Sequence, residues 1–253
     1  MFTHKVSTIA SQRALFKSFN SKPRQILQSV FARAMTIVPV ATVAFGQLGE
    51  LADYAAWKRS RLNGRGNPLL AHRELLWSAI LPRLISRGPL AVAEFGVAWG
   101  FATNWWLTRL TDPGIEWHGF DTFTGLPESW NRGGLQKYEP GSFSAGGRTP
   151  PIADSRAKWH VGLVGDTVSA VDLEHFKTRP LFLLFDFDLY EPTAIALKAM
   201  AKFLKPGDIM YFDEAFDGWN ERQAIDKILL PHFELTCLGS TATALVLEIA
   251  SVK

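Results

Sequence analysis

The sequence AVAEFGVAWG at residues 91–100 decides the fold of this chain. Its first five residues are apolar apart from Glu94, and a turn with Gly96 and Gly100 separates them from a stretch at 101–110 without Gly or Pro. This pattern predicts a buried strand, a tight loop and a helix. Glycine permits positive φ and close approach of the backbone to a ligand, which makes the loop a candidate binding site. An ordinary strand–helix turn has the same pattern, and this motif alone does not separate the two.

Three more short apolar runs follow, and each ends in or leads to acidic residues. These are Asp121 after residues 115–120, Asp186 and Asp188 in and after residues 181–187, and Asp213-Glu214 after residues 209–212. In a doubly wound parallel sheet the carboxyl ends of the strands line one crevice. We therefore expect these carboxylates to converge at one site.

The order of the motifs resembles that of class I S-adenosylmethionine-dependent methyltransferases, and within them the macrocin O-methyltransferase-like group. The resemblance covers roughly residues 75–250 and is carried by EFGVAWG at 94–100, GFDTFTGLPE at 119–128, GDT at 165–167, DFDLYE at 186–191, and LKPGD at 204–208 before Asp213-Glu214. The second and fourth segments together are fairly specific, whereas the glycine loop is not.

This resemblance implies an α/β fold: a Rossmann-like, doubly wound, seven-stranded sheet with an antiparallel last strand and an N-terminal helical extension. Residues 1–70 are interpreted as a helical arm or cap, and residues 71–253 as the methyltransferase domain. Strands are predicted at 161–164 and, as a closing hairpin, at 233–238 and 242–249. Helices are predicted at 49–61, at 69–85 with Pro82 as a possible kink, and at 194–204.

The cofactor implied is S-adenosylmethionine. The resemblance assigns its binding to residues at the ends of the first two strands and to the segment after the strand predicted at 161–164, namely Glu94, Gly96, Gly100, Asp121, Thr122 and Asp166. Asp121 would accept hydrogen bonds from ribose hydroxyls, and Asp166 would contact the adenine edge. A turn or helix N-cap before Thr167 is an equal alternative for Asp166.

The resemblance also places a general base and a divalent metal at the later strand ends. Asp186 or Asp188 is the predicted catalytic base, and Asp186, Asp213 and Glu214 are predicted Mg²⁺ ligands because carboxylate oxygens suit that ion. The sugar-modifying members have Asp-Asp where this chain has Asp213-Glu214. Glu214 is therefore alternatively a base or a structural partner, and the need for a metal stays open.

A long region with many Gly and Pro residues at 121–160 is typical of a functional loop. Its aromatic side chains are Trp130, Tyr138, Phe143 and Trp159. They are predicted to form one wall of a pocket for a small-molecule acceptor. A solvated insertion anchored by buried aromatics is equally compatible with the sequence.

Charge and cysteine content narrow the functional classes. The first 50 residues carry six Lys/Arg and one acid, which leaves 21 basic and 23 acidic residues in the remainder, so no nucleic-acid-binding face is indicated. The single Cys237 excludes an intramolecular disulfide and is compatible with a cytoplasmic location. The apolar stretch at 34–45 is too short to span a membrane. Nine Trp residues make a homodimer plausible.

The leading interpretation is an O-methyltransferase acting on a hydroxyl of a sugar or secondary metabolite. A nicotinamide-dependent oxidoreductase would need glycine two positions after Gly96, where the chain has Ala98. A non-catalytic protein that keeps the fold and the cofactor pocket is a third interpretation. A fourth is binding of a membrane or partner through the basic N-terminal arm.

Overall fold

A computed structural model of the chain describes residues 39–64, 67–132 and 136–253. Residues 49–253 form one compact unit. Predictions for the basic arm before residue 39 lie outside the described residues. Among the described residues, none of the helices combines the length and the hydrophobicity required to cross a bilayer.

Two helices precede the sheet, α1 (Pro39–Arg61) and α2 (Arg73–Ile85). The helices that follow are α3 (Phe101–Leu107), α4 (Val164–Ala170), α5 (Tyr190–Ala201) and the short α6 (Glu221–Ala224), which continues into a π-helical turn at Ile225–Leu229. A 3₁₀ turn spans Glu174–Thr178. The strands are β1 (Ala91–Phe95), β2 (Glu116–Asp121), β3 (Trp130–Arg132), β4 (Gln136–Tyr138), β5 (Ala157–Val161), β6 (Leu181–Phe185), β7 (Ile209–Phe212), β8 (Phe233–Ser240) and β9 (Leu245–Val252).

Seven strands form one sheet in the order β5-β2-β1-β6-β7-β9-β8, with β3 and β4 as a separate antiparallel hairpin. Strands β5, β2, β1, β6 and β7 are mutually parallel, and β9 runs antiparallel to both β7 and β8. Reversal of strand order at β1 opens a crevice beyond the carboxyl ends of β1 and β6. The predicted Rossmann-like, doubly wound, seven-stranded sheet with an antiparallel last strand is confirmed.

The core lies on both faces of this sheet because side chains alternate along a strand. In β1, Ala93 and Phe95 face the cluster that contains α5, whereas Val92 faces the cluster that contains α2 and α3. All five residues of β1 are buried, as expected for a central parallel strand covered by helices on both sides.

One strand differs from its prediction. Residues 161–164 were expected to be a strand, but β5 ends at Val161 and Val164 is the first residue of α4. Strand β5 lies at the sheet edge and is only partly buried, so its sequence AKWHV lacks the continuous apolar run of a central strand. The helix α2 continues through Pro82, which lies in its last turn and does not split it.

Residues 49–64 and 67–70 pack on the end of the sheet. The Tyr54 hydroxyl donates to the carbonyl of Ala244 at 3.1 Å, and Tyr54 is buried. Asn63 and Leu69 then form isolated parallel bridges with Thr236 and Ser240 of β8. These contacts lead the chain into α2, whose first residue, Arg73, reaches the crevice.

Candidate active site

A cavity of about 730 Å³ occupies the crevice at the carboxyl ends of the parallel strands. This size is within the range of small-molecule sites. Its walls contain all four strand-end acids of β6 and β7, namely Asp186, Asp188, Asp213 and Glu214, together with Glu94, Gly96, Asp121, Thr122 and Asp166. The predicted convergence of the strand-end carboxylates is therefore observed.

The carboxylate of Asp121 organises the loop after β1. Its Oδ2 accepts backbone N–H groups of Val97 at 2.8 Å and Ala98 at 2.7 Å, and its Oδ1 accepts that of Phe123 at 2.7 Å. A carboxylate has about four acceptor positions, so roughly one is left for a ligand hydroxyl. Asp121 thus shapes the binding loop and faces the cavity at the same time.

Gly96 is required by the backbone. Its φ is +90°, and a Cβ there would lie 2.6 Å from the carbonyl carbon of Asp186, closer than any ordinary contact. Gly100 has a φ of +77° and is the N-cap of α3. Its missing side chain leaves room for Pro150, and it does not line the cavity. Only the first of these two predicted cofactor-binding glycines therefore faces the site.

Glu94 lies in the cavity wall, and one of its oxygens accepts hydrogen bonds from two residues that do not line the cavity. Its Oε2 accepts the indole N–H of Trp117 at 2.8 Å and the hydroxyl of Thr103, whereas its buried Oε1 has no partner among the described residues. Burial is the largest influence and raises the pKa of Glu94 to about 8, against these two donors. The side chain is protonated at neutral pH, so it presents a neutral carboxyl group to the cavity.

Thr122 and Asp166 also line the cavity. The Thr122 hydroxyl accepts the N–H of Thr124 at 3.2 Å within the turn after β2. Asp166 is exposed and occupies the first turn of α4, where Leu163 is the N-cap. Asp166 is therefore not the N-cap that the sequence left as an alternative.

Asp186 and Asp188 follow β6 directly. Asp188 has a φ of +64° and is largely buried; burial, and then the negative charge of Asp213, raise its pKa to about 7. Burial and the charges of Asp213 and Asp188 also raise the pKa of Asp186 well above its ordinary value, although a third of its side chain (34%) is exposed. A carboxylate that titrates near neutrality is suited to take a proton.

Two arginines that sequence reasoning did not single out neutralise these acids. Arg73 Nη1 lies 3.3 Å from Asp213 Oδ2, and the Tyr211 hydroxyl donates to Oδ1 of the same carboxylate. Arg132, from β3, donates to both oxygens of Glu214 at 2.6 and 3.2 Å. Burial nevertheless raises the pKa of Glu214 to about 8. The sequence offered one signal for them: five acids were predicted to converge, and buried negative charges require positive partners.

The aromatic residues of the long loop form part of the wall. Trp130 and Tyr138 stack between β3 and β4 with ring centroids 5.1 Å apart, and the ring centroids of Tyr138 and Phe143 are 4.9 Å apart. All three line the cavity. Trp159 instead packs beneath Gly119 and against Phe123, outside the lining. Three of the four predicted aromatics are thus placed where an acceptor wall was expected.

The carboxylates do not form a ready magnesium site. In the described parts of the chain, no three of them place oxygen atoms within 4.8 Å of one another, and Arg132 occupies both oxygens of Glu214. The group of described residues that does meet this distance is Glu116, His118 and His175, at the opposite end of β2. Lys158 and Arg179 already pair with Glu116, so its charge is compensated without a metal.

Comparison with known proteins finds methyltransferases of similar fold. No protein-family model matches the sequence, and no curated protein matches it. A structure of CalS11, a calicheamicin methyltransferase, is similar with a TM-score of 0.54 and 23% identity over 90% of this chain and 93% of that one. The apo structure of CalS11, described as a TDP-rhamnose 3'-O-methyltransferase, is similar with a TM-score of 0.50 and 27% identity. That match covers 70% of this chain and 79% of that one. The structure of the O-methyltransferase NovP is similar with a TM-score of 0.50 and 16% identity, over 68% of this chain and 80% of that one. The chain has the Rossmann-like methyltransferase fold.

Proposed function

We propose that this chain is an S-adenosylmethionine-dependent O-methyltransferase whose acceptor is a hydroxyl of a sugar or a similar small molecule. The observation that carries the proposal is that one cavity of about 730 Å³ is lined both by the residues assigned to the cofactor and by those assigned to the acceptor. Gly96, Asp121 and Asp166 belong to the first set, and Asp186, Asp188, Trp130 and Tyr138 belong to the second. Methyl transfer needs both ligands in one cavity, because the acceptor oxygen must reach the methyl carbon.

When bound, S-adenosylmethionine supplies a methyl group activated on a sulfonium. The chain contributes the position of both reactants and a proton acceptor. The sulfonium would give up its methyl group to the acceptor oxygen and keep the electron pair of the carbon–sulfur bond, and a carboxylate of the chain would take the hydroxyl proton. Asp188 is assigned as this base because it is largely buried, titrates near neutrality and pairs directly with neither arginine.

A sugar-type acceptor is supported by the cavity walls and by one comparison. Aromatic faces such as Trp130 and Tyr138 suit the apolar faces of a sugar or a base ring, and Arg132 lies beside them. The structure similar at 27% identity is that of an enzyme named for a nucleotide-linked sugar. Nucleoside diphosphate sugars, including TDP-rhamnose, are therefore the first acceptors to test. A cytoplasmic location and a homodimer fit this function and remain proposals.

The experiment is calorimetric titration with S-adenosylhomocysteine, followed by transfer of radiolabelled methyl groups to nucleoside diphosphate sugars. Asp121→Asn should weaken binding at least about tenfold, because an amide nitrogen cannot accept the loop N–H groups. Asp172→Asn is the matched control. Like Asp121, the exposed Asp172 accepts the backbone N–H of the residue two positions later, here Glu174 at 3.0 Å, but Asp172 lies outside the cavity.

Three outcomes separate the interpretations. Binding that is weakened only by Asp121→Asn, together with methyl transfer, supports the proposal. Binding without transfer to any sugar in a broad panel favours a non-catalytic protein that retains the cofactor pocket. Binding of a nicotinamide cofactor in preference to S-adenosylhomocysteine would favour the oxidoreductase.

A further inference from the structure

The guanidinium group of Arg73 lies between two carboxylates that the family resemblance assigns to a metal. Its Nη1 is 3.3 Å from Asp213 Oδ2 and 3.8 Å from Asp186 Oδ2. We propose that Arg73 is the resident cation of the acceptor site and that this chain transfers methyl groups without a divalent metal. This inference rests on the proposed function, and it concerns which positive charge the site uses.

Arg73 is held in place from several sides. It is the first residue of α2, and its guanidinium lies 5.4 Å from the ring centroid of Trp77 and 5.2 Å from that of Phe101. The Tyr211 hydroxyl binds the other oxygen of Asp213 and so directs Oδ2 toward Arg73. Because a guanidinium group does not lose its proton in proteins, this charge is permanent.

The third predicted ligand is also occupied. Glu214 is only 9% exposed at its side chain, and each of its two oxygens accepts a hydrogen bond from Arg132. A divalent ion bound by Asp186, Asp213 and Glu214 would have to displace two guanidinium groups. Mg²⁺ also loses its hydration water reluctantly, which adds to the cost of that exchange.

Arg73 acts through the two aspartates and is therefore a positioning residue. Its guanidinium group orients the carboxyl groups of Asp186 and Asp213 at the edge of the cavity, while Asp188 stays free of a direct arginine contact. A metal would instead draw the carboxylates together around itself. The two arrangements differ in a property that does not depend on turnover, namely affinity for divalent cations.

The test measures Mn²⁺ binding by the full chain, using the loss of the free-ion signal in electron paramagnetic resonance. Mn²⁺ is chosen because, like Mg²⁺, it prefers carboxylates, whereas Zn²⁺ would also bind the cluster around His118 and His175. The variants are Arg73→Gln and Arg73→Lys. Arg83→Gln is the matched control, because Arg83 lies on the same helix and pairs with Glu248 away from the cavity.

We expect no stoichiometric Mn²⁺ binding by the wild type, by Arg83→Gln or by Arg73→Lys. Arg73→Gln should bind one ion at least about tenfold more tightly, since it leaves two neighbouring carboxylates without a cation. The inference is overturned if the wild type binds one Mn²⁺ that Asp213→Asn removes, or if Arg73→Gln binds no more tightly than the wild type. If Arg73→Gln does not fold, the wild-type measurement and its Asp213→Asn variant decide alone.

Titration of the same samples with S-adenosylhomocysteine keeps this inference separate from the proposed function. Absence of cofactor binding contradicts the methyltransferase proposal whatever the Mn²⁺ result. Cofactor binding with methyl transfer that EDTA abolishes and Mg²⁺ restores leaves the methyltransferase proposal intact and refutes the role of Arg73. Transfer that persists in EDTA supports both.

Discussion

Replacing Gly96 by alanine tests whether the loop after β1 is held against the strand end of β6. Gly96 has a φ of +90°, and a Cβ there would lie 2.6 Å from the carbonyl carbon of Asp186, whereas ordinary contacts begin at 3.4 Å. The backbone of Gly96 or Asp186 would therefore have to move. The same movement would displace the end of β6, which carries Asp186, from the loop after β1.

The expected cost has two parts. An alanine in the left-handed region costs roughly 1–2 kcal/mol. Forcing an extra methyl into a packed site adds about 1–3 kcal/mol, so Gly96→Ala should lose about 2–5 kcal/mol of unfolding free energy. Gly88→Ala is the matched control, because Gly88 has a φ of +79° and a Cβ there would meet nothing within 4 Å. That control should lose only the first part.

The assay is urea unfolding of both variants, followed by titration with S-adenosylhomocysteine. Gly88→Ala should retain wild-type affinity, whereas Gly96→Ala should bind at least about tenfold more weakly, a loss of about 1.4 kcal/mol. Equal losses of stability in the two variants would refute the close approach of Gly96 to Asp186. Unchanged affinity in a folded Gly96→Ala protein would refute its place in the cofactor site.

Two further predictions concern protonation. Because the pKa of Glu94 is raised to about 8, its contribution to stability is present below the unfolded value near 4.5 and is lost as pH rises through 8. Glu94→Gln should therefore show a smaller decline of the urea midpoint between pH 5 and pH 8 than the wild type; equal declines would contradict the assignment. Asp188→Asn should lower methyl transfer about 10²–10⁴-fold while leaving S-adenosylhomocysteine affinity unchanged. In the wild type, kcat/KM should rise with pH up to about 7, since Asp188 must be ionised to accept a proton. Near-normal turnover of Asp188→Asn, or a variant with the same pH profile as the wild type, would exclude Asp188 as the base.

The order of elements could be predicted from the sequence because it depends on local signals. An apolar run of four or five residues, a glycine turn and a following helix are short-range features, and the acids at the strand ends appear directly after each run. Parallel strands share one edge, so the convergence of Asp121, Asp186 and Asp213 followed from order alone. The edge strand β5 was misplaced because its sequence carries a weaker apolar signal.

The charge balance of the site was decided only by tertiary structure. Arg73 and Asp213 are 140 residues apart in sequence, and Arg132 and Glu214 are 82 apart. No periodicity or spacing links such pairs, because they meet only after the chain before β1 and the loop after β2 have folded over the same sheet edge. The sequence by itself determined where the carboxylates gather. The folded chain determined that two arginines pair with Asp186, Asp213 and Glu214, since burial makes an unpaired charge costly.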